Sequence, residues 1–445
     1  MKRLSIISLI TIACLMLSAC SGFGINVQDS LSPPKPSGEL YEIQKTLEAS
    51  VGGDAELVYP SLGKYRSAII TKDIDSDGKY EVFSFYRTET DDKATVMHIN
   101  YIRWVDEKWT SVSDLQLDCS GVQSIEFVKL DNSPIPKILV NWERFSATDK
   151  QLSVYSIDRG TLFEITKSDY SVYTTFDFND DGIFEVVALH LDKENRTSTA
   201  KLLGLGETGF SEISSCKLDP LATSYFPPVI STFTDGTPAI FIDAAKSTGM
   251  ITEILYVKDG NQLVSALPYT VNFENVNSLR ASSIRSLDYD KDGCVDIPLN
   301  QKLPMVQSSA EEDSAYMTVW NSFDGEKLTP IKHTIINYTD GYYIEVPLEW
   351  INNIAIQRRV ETYQRVFYRW DSILNEVGEE VIRIQSVPIK TWEIDSVVYE
   401  GYKEYARNSE NVFIVKFGNS ALTPSEDYVR QHFKLIGTDV IQPVQ

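Results

Sequence analysis

Three short stretches of this 445-residue chain carry acidic or amide side chains at alternate positions around a glycine. They run from Asp73 to Glu81, from Asp177 to Glu185 and from Asp288 to Asp296. Each offers side-chain oxygens at positions 1, 3, 5 and 9 and a backbone carbonyl at position 7. The glycine at position 6 permits a sharp reversal of the chain. A hard cation such as calcium takes about six to eight oxygen ligands, so the spacing predicts three calcium sites.

The predicted calcium ligands are Asp73, Asp75, Asp77, Lys79, Glu81, Asp177, Asn179, Asp181, Ile183, Glu185, Asp288, Asp290, Asp292, Cys294 and Asp296. Lys79, Ile183 and Cys294 are expected to contribute their carbonyl oxygens. Three or four carboxylates gathered without a cation would cost on the order of several kcal/mol in repulsion and desolvation. The alternative is a set of acidic surface turns that bind no metal.

An EF-hand and a dockerin loop open in the same way but require an acid at position 12 on a helix. Position 12 here is Ser84, Ala188 or Leu299, each inside a run typical of a strand. Both helical loops are therefore excluded, and each stretch is expected to be a turn between two strands.

The three stretches belong to a longer series of acidic turns, whose first residues are Asp73, Asp131, Asp177, Asp235, Asp288 and Asp340. Apolar-alternating runs flank most of these turns, and a second hairpin signal follows each turn roughly 20 to 30 residues later. Two hairpins make four strands per repeat, the content of a propeller blade. The pattern predicts an all-β fold, a β-propeller of about six four-stranded blades with seven possible. The turns at Asp131, Asp235 and Asp340 lack most ligands, and no metal is predicted there.

The N-terminus has the layout of a secretory signal, with Lys2 and Arg3 before an apolar stretch from Leu4 to Met16. Leu17-Ser18-Ala19-Cys20 resembles the lipobox of bacterial lipoproteins, in which the cysteine is acylated. An ordinary signal peptide with a chance cysteine is the alternative. The apolar stretch is shorter than the ~20 residues of a spanning helix, so the acyl group on Cys20 would be the only anchor.

The remaining organisation follows from composition and periodicity. Residues 1–19 are predicted to be the signal peptide, 20–38 the lipidated cysteine with a Pro-rich tether, 39–388 the propeller with an N-terminal helix, and 389–445 a small α/β segment. In that last segment, residues 399–408 fit a short helix, 411–417 a strand, and 424–436 a helix that Ser425 would cap.

The balance of charge excludes one class of partner. The net charge is −22 and becomes −24 once residues 1–19 are removed, because Lys2 and Arg3 leave with no acid. So acidic a surface repels nucleic acid. The three cysteines after the export region, Cys119, Cys216 and Cys294, permit at most one disulfide, and the four histidines are scattered. We expect a monomer.

From about Ser61 to Ile384 the acidic turns resemble the FG-GAP, or VCBS, repeats of integrin-α-type β-propellers, D-x-D-x-D-G-x-x-[DE]-[LIV]. With lipobox, tether and C-terminal segment, the chain is similar to VCBS-repeat lipoproteins of clostridia-like bacteria. The resemblance implies calcium in the loops, a propeller fold and a place on the extracytoplasmic side of the cell membrane. It implies no particular activity.

No catalytic motif is present among the nucleophile-elbow, zinc-protease, phosphate-loop and dinucleotide patterns. One hypothesis is therefore a non-enzymatic lipoprotein that binds a protein or an envelope polymer. The other is a propeller that binds or cleaves a cell-wall polymer or exopolysaccharide, since a carboxylate pair for glycoside hydrolysis depends on spatial separation. The seven Trp and 23 Tyr could stack on sugars, but core packing is the expected role of most.

Overall fold

A computed structural model describes the chain over residues 38–51, 55–89, 95–145, 150–267, 269–272, 274–281, 283–306, 315–394, 396–438 and 440–441. The predicted signal peptide, Cys20 and nearly all of the tether lie outside these residues. Within the described part, no helix is both long and apolar enough to cross a membrane.

Antiparallel sheets make up most of the protein, and the prediction of an all-β fold is confirmed. The described residues form six sheets of four or five strands, where about six blades were predicted. The described residues divide into two compact units: the first contains those up to residue 58 and those of 68–117, and the second contains those of 59–67 and those from 118 onward.

The first unit holds one helix and the first sheet. Helix α1, Glu39–Val51, is the predicted N-terminal helix, and its Ile43 and Leu47 pack against Val82 and Tyr86 of the sheet. The strands are β1 (Glu56–Leu57), β2 (Ile69–Lys72), β3 (Glu81–Glu89), β4 (Thr95–Val105) and β5 (Lys108–Leu117). Both β1 and β2 pair with β3, and the order continues to β4 and β5.

The second unit begins with two four-stranded meanders. The second sheet contains β6 (Gly121–Val128), β7 (Lys137–Glu143), β8 (Lys150–Asp158) and β9 (Thr161–Tyr170). The third contains β10 (Val172–Phe176), β11 (Glu185–Asp192), β12 (Thr197–Gly206) and β13 (Gly209–Lys217). Each strand pairs with its neighbours in chain order.

The fourth and fifth sheets vary this plan at one edge. The fourth contains β14 (Ser224–Tyr225), β15 (Val229–Thr232), β16 (Pro238–Lys246), β17 (Gly249–Lys258) and β18 (Gln262–Ser265), with β14 and β15 both on β16. The fifth contains β19 (Ile297–Lys302), β20 (Tyr316–Phe323), β21 (Leu328–Asn337) and β22 (Tyr342–Glu345). A single bridge between Leu287 and Asp296 stands where the first strand of the other sheets would be.

The sixth sheet is completed by the C-terminal segment. Its strands are β23 (Ile354–Arg359), β24 (Gln364–Asp371), β25 (Glu376–Pro388), β26 (Tyr402–Arg407) and β27 (Asn411–Phe417), in the order β23-β24-β25-β27-β26. Helix α2 is Ile389–Ile394, helix α3 is Glu426–His432, and β28 (Phe433–Leu435) pairs with β22 of the fifth sheet. Short 3₁₀ turns occupy Leu348–Trp350, Val360–Thr362 and Ser396–Tyr399.

Of the three predictions for this segment, the strand is confirmed, the last helix is confirmed over Glu426–His432 but not over Phe433–Leu435, which form β28, and the first helix is wrong. Strand β27 has the predicted bounds, and the Ser425 hydroxyl accepts the N–H of Tyr428 at 3.1 Å, so Ser425 caps α3. The helix predicted over residues 399–408 is instead the edge strand β26. Pairing with the buried strand β27 outweighs the weak helical pattern, because intrinsic propensity yields to tertiary context.

Consecutive sheets of the second unit share apolar cores. Leu139 of the second sheet packs with Val186 of the third, and Leu189 of the third packs with Ile242 of the fourth. The large rings Trp142, Trp320 and Trp350 are fully buried, as expected of core residues. All six predicted second hairpins are present, and they join β4–β5, β8–β9, β12–β13, β17–β18, β20–β21 and β24–β25.

A buried polar network holds the long connection between β18 and β19 against the fourth sheet. Arg280, on this connection, places Nη2 2.7 Å from Asp243 Oδ1 of β16, and both side chains are buried. Lys246 Nζ lies 2.7 Å from Asp219 Oδ2, and Glu253 Oε1 accepts the Asp219 N–H at 2.9 Å. Burial raises the pKa of Glu253. Removing one member of either ion pair would leave its partner charged and unpaired in the core.

Candidate metal sites

The three predicted loops each lead into a strand. The position-9 acid is the first residue of that strand in the first two loops, Glu81 and Glu185, and the residue just before it in the third, Asp296. The first joins β2 to β3, the second joins β10 to β11, and the third lies before β19. Because the chain has to reverse within nine residues, position 4 and position 6 both adopt left-handed backbone angles. Position 4 has φ of 61° at Ser76, 57° at Asp180 and 64° at Lys291, and the glycines at position 6 have φ of 85°, 80° and 93°.

The backbone hydrogen bonds of the first loop show how the turn orients its carboxylates. Asp73 Oδ2 accepts the N–H of Gly78 at 3.0 Å, and Asp77 Oδ1 accepts that of Lys79 at 2.7 Å. At the far end, Glu81 Oε2 accepts the N–H of Ile74 at 3.1 Å. One oxygen of each of these carboxylates is thus held by the backbone, which leaves the other for a further ligand.

The other two loops repeat these bonds. Gly182 donates to Asp177 Oδ2 at 2.7 Å and Gly293 donates to Asp288 Oδ2 at 3.0 Å. The position-9 acids behave alike, since Glu185 Oε2 accepts the N–H of Phe178 at 3.1 Å and Asp296 Oδ2 accepts that of Tyr289 at 2.9 Å. The spacing seen in the sequence therefore corresponds to one backbone conformation that occurs three times.

In the first and third loops the carboxylates come together as a ligand set. Asp73, Asp75 and Glu81 place oxygens within 4.8 Å of one another, and Asp288, Asp290 and Asp296 do the same. Buried oxygens point to a missing ligand: Asp73 Oδ1 and Asp296 Oδ1 have no hydrogen-bond partner among the described residues, and Asp296 is only 1% exposed. A buried acceptor without a donor is costly, and a cation at this position would satisfy it.

The electrostatics of these clusters support the same assignment. Burial raises the pKa of Glu81, and the neighbouring charges of Asp75, Asp77 and Asp73 raise it further. Burial and the charges of Asp290 and Asp292 raise the pKa of Asp296 to about 7. A bound divalent cation would reverse these shifts, because it stabilises the ionised carboxylates. The donor set is oxygen throughout, which suits calcium or magnesium better than a transition metal.

The middle loop differs at position 3. Asn179 Nδ2 donates to Glu185 Oε1 at 3.1 Å, so the amide occupies one oxygen of the position-9 acid. Burial and the charges of Asp181 and Asp177 still raise the pKa of Glu185. This loop has the backbone of a metal site with one charge fewer, and a cation would require the amide of Asn179 to turn its oxygen inward.

Two of the loops also connect neighbouring sheets. Phe184, in the middle loop, donates its N–H to the carbonyl of Lys129 beyond β6 at 2.8 Å. The carbonyl of Gly293 accepts the hydroxyl of Ser231 on β15 at 3.1 Å. The thiol of Cys294 lies 3.7 Å from Thr232 Oγ1, so a contribution from this residue to the metal would come from its carbonyl, as predicted.

In the turn at Asp131 a lysine side chain supplies the positive charge. Lys137 occupies position 7, and its Nζ lies 2.9 Å from Asp131 Oδ2 with the lysine side chain only 7% exposed. The ammonium group stands where a metal would neutralise the aspartate in the other loops. Sequence reasoning missed this role, although the lysine at position 7 and the absence of acids at positions 3, 5 and 9 were visible.

In the two remaining turns, at Asp235 and Asp340, the aspartate accepts a hydrogen bond from a nearby residue. Asp235 accepts the N–H of Thr237 at 2.8 Å in a tight turn between β15 and β16. The turn at Asp340 does not take the position of the other five. It joins β21 to β22 inside the fifth sheet, and Asp340 Oδ2 accepts Nδ2 of Asn337 at 2.6 Å.

No protein-family model and no curated protein matches this sequence. Solved structures do align with it. Rhamnogalacturonan lyase YesW aligns with 11% identity over 65% of this chain and 66% of that one, at a TM-score of 0.31. The exotype rhamnogalacturonan lyase YesX aligns with 10% identity over 74% and 73%, at 0.31, and a Bacillus licheniformis rhamnogalacturonan lyase with 11% over 66% and 66%, at 0.32. The chain spans just under two thirds of the first of these structures. TM-scores of this size do not establish a common fold.

Proposed function

We propose that the chain is a calcium-stabilised surface lipoprotein whose β-propeller serves as a non-enzymatic binding or scaffold module for a protein or envelope polymer. The observation that carries the calcium part is the repeated loop, which gathers carboxylates around a buried oxygen, Asp296 Oδ1, that has no described donor. Calcium would be held by the side chains at positions 1, 3, 5 and 9 and by the carbonyl at position 7. It would supply charge compensation rather than chemistry.

The position of the loops favours a structural task for the metal. Each position-9 acid opens a strand or, for Asp296, directly precedes one, and the middle and third loops donate or accept hydrogen bonds across to a neighbouring sheet. A cation that neutralises the loop therefore stabilises both the turn and the contact between two sheets. The lysine-bearing turn at Asp131 supports this interpretation, because the same position is stabilised there by a fixed positive charge.

The anchor and location rest on the N-terminal sequence. Lys2, Arg3, the apolar stretch and the lipobox ending at Cys20 support a location on the extracytoplasmic side of a membrane, with attachment by an acyl chain. The resemblance to VCBS-repeat lipoproteins is part of the same proposal. Labelled palmitate should be incorporated by the wild type and not by Cys20→Ala, and incorporation by the variant would refute the anchor.

The calcium proposal is tested by thermal unfolding of the acylation-free protein with excess calcium and with a chelator. Calcium at about a hundredfold over its dissociation constant adds about 2.7 kcal/mol per site, so the midpoint should rise by several degrees. Asp75→Asn and Asp290→Asn should each reduce this rise. Asp106→Asn and Asp324→Asn, acids in hairpin turns of the same two sheets, are the matched controls and should leave it unchanged. An equal midpoint with calcium and chelator would refute the proposal.

A second function, binding of a carbohydrate, is favoured by one observation. The described surface contains a large cavity beside the fifth sheet whose walls combine apolar residues with lysine, glutamate and histidine side chains.

A further inference from the structure

Two connected cavities run along the fifth sheet. The larger has a volume of about 650 Å³ and lies between β21–β22 and the segment that leads into α3. The smaller, of about 260 Å³, shares Lys332, Glu345 and His432 with it and extends to Asp290 and Lys291 of the third metal loop. We call the two together the fifth-sheet groove. The larger cavity alone falls within the ~300 to 1,000 Å³ typical of small-ligand sites.

The walls of the groove present paired donors and acceptors. Lys332 Nζ lies 2.6 Å from Glu345 Oε1 at the junction of the two cavities, and both side chains are partly exposed. His432 Nδ1 lies 2.8 Å from the carbonyl of Tyr428, which assigns the proton to Nδ1 and leaves Nε2 as an acceptor. The His432 and Tyr428 rings stack at 4.0 Å and form a flat, rigid side of the groove.

This chemistry does not suit an extended peptide. Strand addition needs a free strand edge, but β22, which lines the groove, is paired with β21 on one side and β28 on the other. A helical ligand needs a continuous apolar trough, whereas the residues that line both cavities are lysine, glutamate and histidine. Neighbouring donors and acceptors on rigid walls suit a ligand rich in hydroxyl groups.

The local charge favours an uncharged ligand. The protein carries a net charge of −22, which repels polyanions at long range. In the larger cavity, which no proposed calcium ligand lines, Lys332 is offset by Glu345 and Glu349. The walls therefore offer charged hydrogen-bonding groups without a net charge that would select for an anion.

We propose that the fifth-sheet groove binds a short, uncharged oligosaccharide, with the Lys332–Glu345 pair bonding neighbouring hydroxyls of one sugar. This assigns a ligand class to the binding module and so rests on the proposed function. Lys332 would donate to one hydroxyl oxygen while Glu345 accepts the proton of the next. The ring pair of His432 and Tyr428 would border the adjacent sugar. No bond is made or broken in this proposal.

The test uses the protein with calcium bound and a panel of soluble neutral gluco-, manno-, galacto- and xylo-oligosaccharides, with the corresponding oligo-uronates as the charged arm. Binding is followed by saturation-transfer NMR and calorimetry. Lys332→Gln combined with Glu345→Gln removes the pair and keeps the net charge. Lys327→Gln combined with Glu326→Gln makes the same exchange in the exposed β20–β21 turn and is the matched control.

The wild type and the control should bind at least one neutral oligosaccharide with the same affinity. The groove variant should bind about tenfold more weakly, because a hydrogen bond to a charged group contributes about 1.5 kcal/mol or more. Glu349→Gln, at the exposed rim, should weaken binding without affecting folding and serves if the double variant is unstable.

Three results would overturn the assignment: no binding of any neutral oligosaccharide, binding of uronates only, or equal affinity in the groove variants and the control. The calcium-dependent rise in the thermal midpoint is measured on the same samples. Failure of sugar binding with that rise intact would reject the ligand class and leave the calcium proposal standing. Absence of the rise would reject the calcium proposal separately.

Discussion

Replacement of Asp296 by asparagine should stabilise this protein in the absence of calcium and reduce the stabilisation that calcium adds. Asp296 is 1% exposed, its Oδ1 has no described partner, and Asp288 and Asp290 place oxygens within 4.8 Å of its own. In the metal-free protein an ionised carboxylate at this position is therefore destabilising. With calcium bound, the same carboxylate becomes one of the ligands.

The magnitude follows from the shift in pKa. Burial and the charges of Asp290 and Asp292 raise the pKa of Asp296 from 3.8 to about 7. At slightly alkaline pH the carboxyl is ionised in both folded and unfolded protein, and about three pKa units correspond to about 4 kcal/mol of destabilisation of the folded state. Because its pKa is higher in the folded protein, this carboxyl contributes its full stabilisation only at a pH below 3.8, its pKa in the unfolded chain. That contribution is lost as the pH rises from there towards 7. Asparagine avoids the charge and can still accept the N–H of Tyr289.

Burying the amide costs about 1 to 2 kcal/mol, so the variant should gain on the order of 2 kcal/mol when a chelator is present. With calcium, the wild type should be stabilised and the variant should gain less. The assay is chemical denaturation at slightly alkaline pH, with Asp235→Asn, an exposed turn acid, as the control. Loss of stability in chelator together with an undiminished response to calcium would show that the reasoning about this loop is wrong.

Three further predictions concern other parts of the chain. Lys137→Gln removes the charge that neutralises Asp131, and should cost about 1 to 3 kcal/mol in denaturation experiments that give the same value with calcium or chelator. Asp243→Asn leaves the guanidinium of Arg280 buried without its counter-charge, and should lower the free energy of unfolding by about 3 to 5 kcal/mol; a change below 1 kcal/mol, about the size of a surface substitution, would contradict the assigned role. Burial raises the pKa of the Cys119 thiol to about 11, so a thiol reagent should label Cys119 only at the rate of unfolding, and fast labelling of the native protein would refute its burial.

The sequence predicted what depends on short-range spacing. The alternation of apolar residues identified the strands, and the positions of Asp73, Asp75 and Glu81 around a glycine predicted a loop that the structure repeats three times. Such features are encoded within about a dozen residues. The same is true of the Ser425 cap, which depends only on a hydroxyl three residues before its donor.

Features that depend on distant pairing were not predictable in this way. Strand β26 was expected to be a helix, because its pairing with β27 is not visible in its own periodicity. The turn at Asp340 matched the repeat in sequence but joins β21 to β22, the third and fourth strands of the fifth sheet, instead of opening the sixth sheet. Residues from separate segments form both the ion pair of Asp243 with Arg280 and the fifth-sheet groove. No local sequence pattern predicts either feature.

Because of the lysine in the turn at Asp131, the sheets should differ in how their stability responds to calcium. A tethered ammonium group is present at a fixed effective concentration, so no chelator can remove it and no change in the surroundings can dilute it. Under the proposed function, the loops at Asp73, Asp177 and Asp288 would depend instead on an ion that exchanges with the medium. If calcium fell, hairpins of the first, third and fifth sheets would loosen while that of the second stayed closed. Copying the Asp131–Lys137 arrangement into those loops would be a direct route to a form of the protein that is indifferent to calcium.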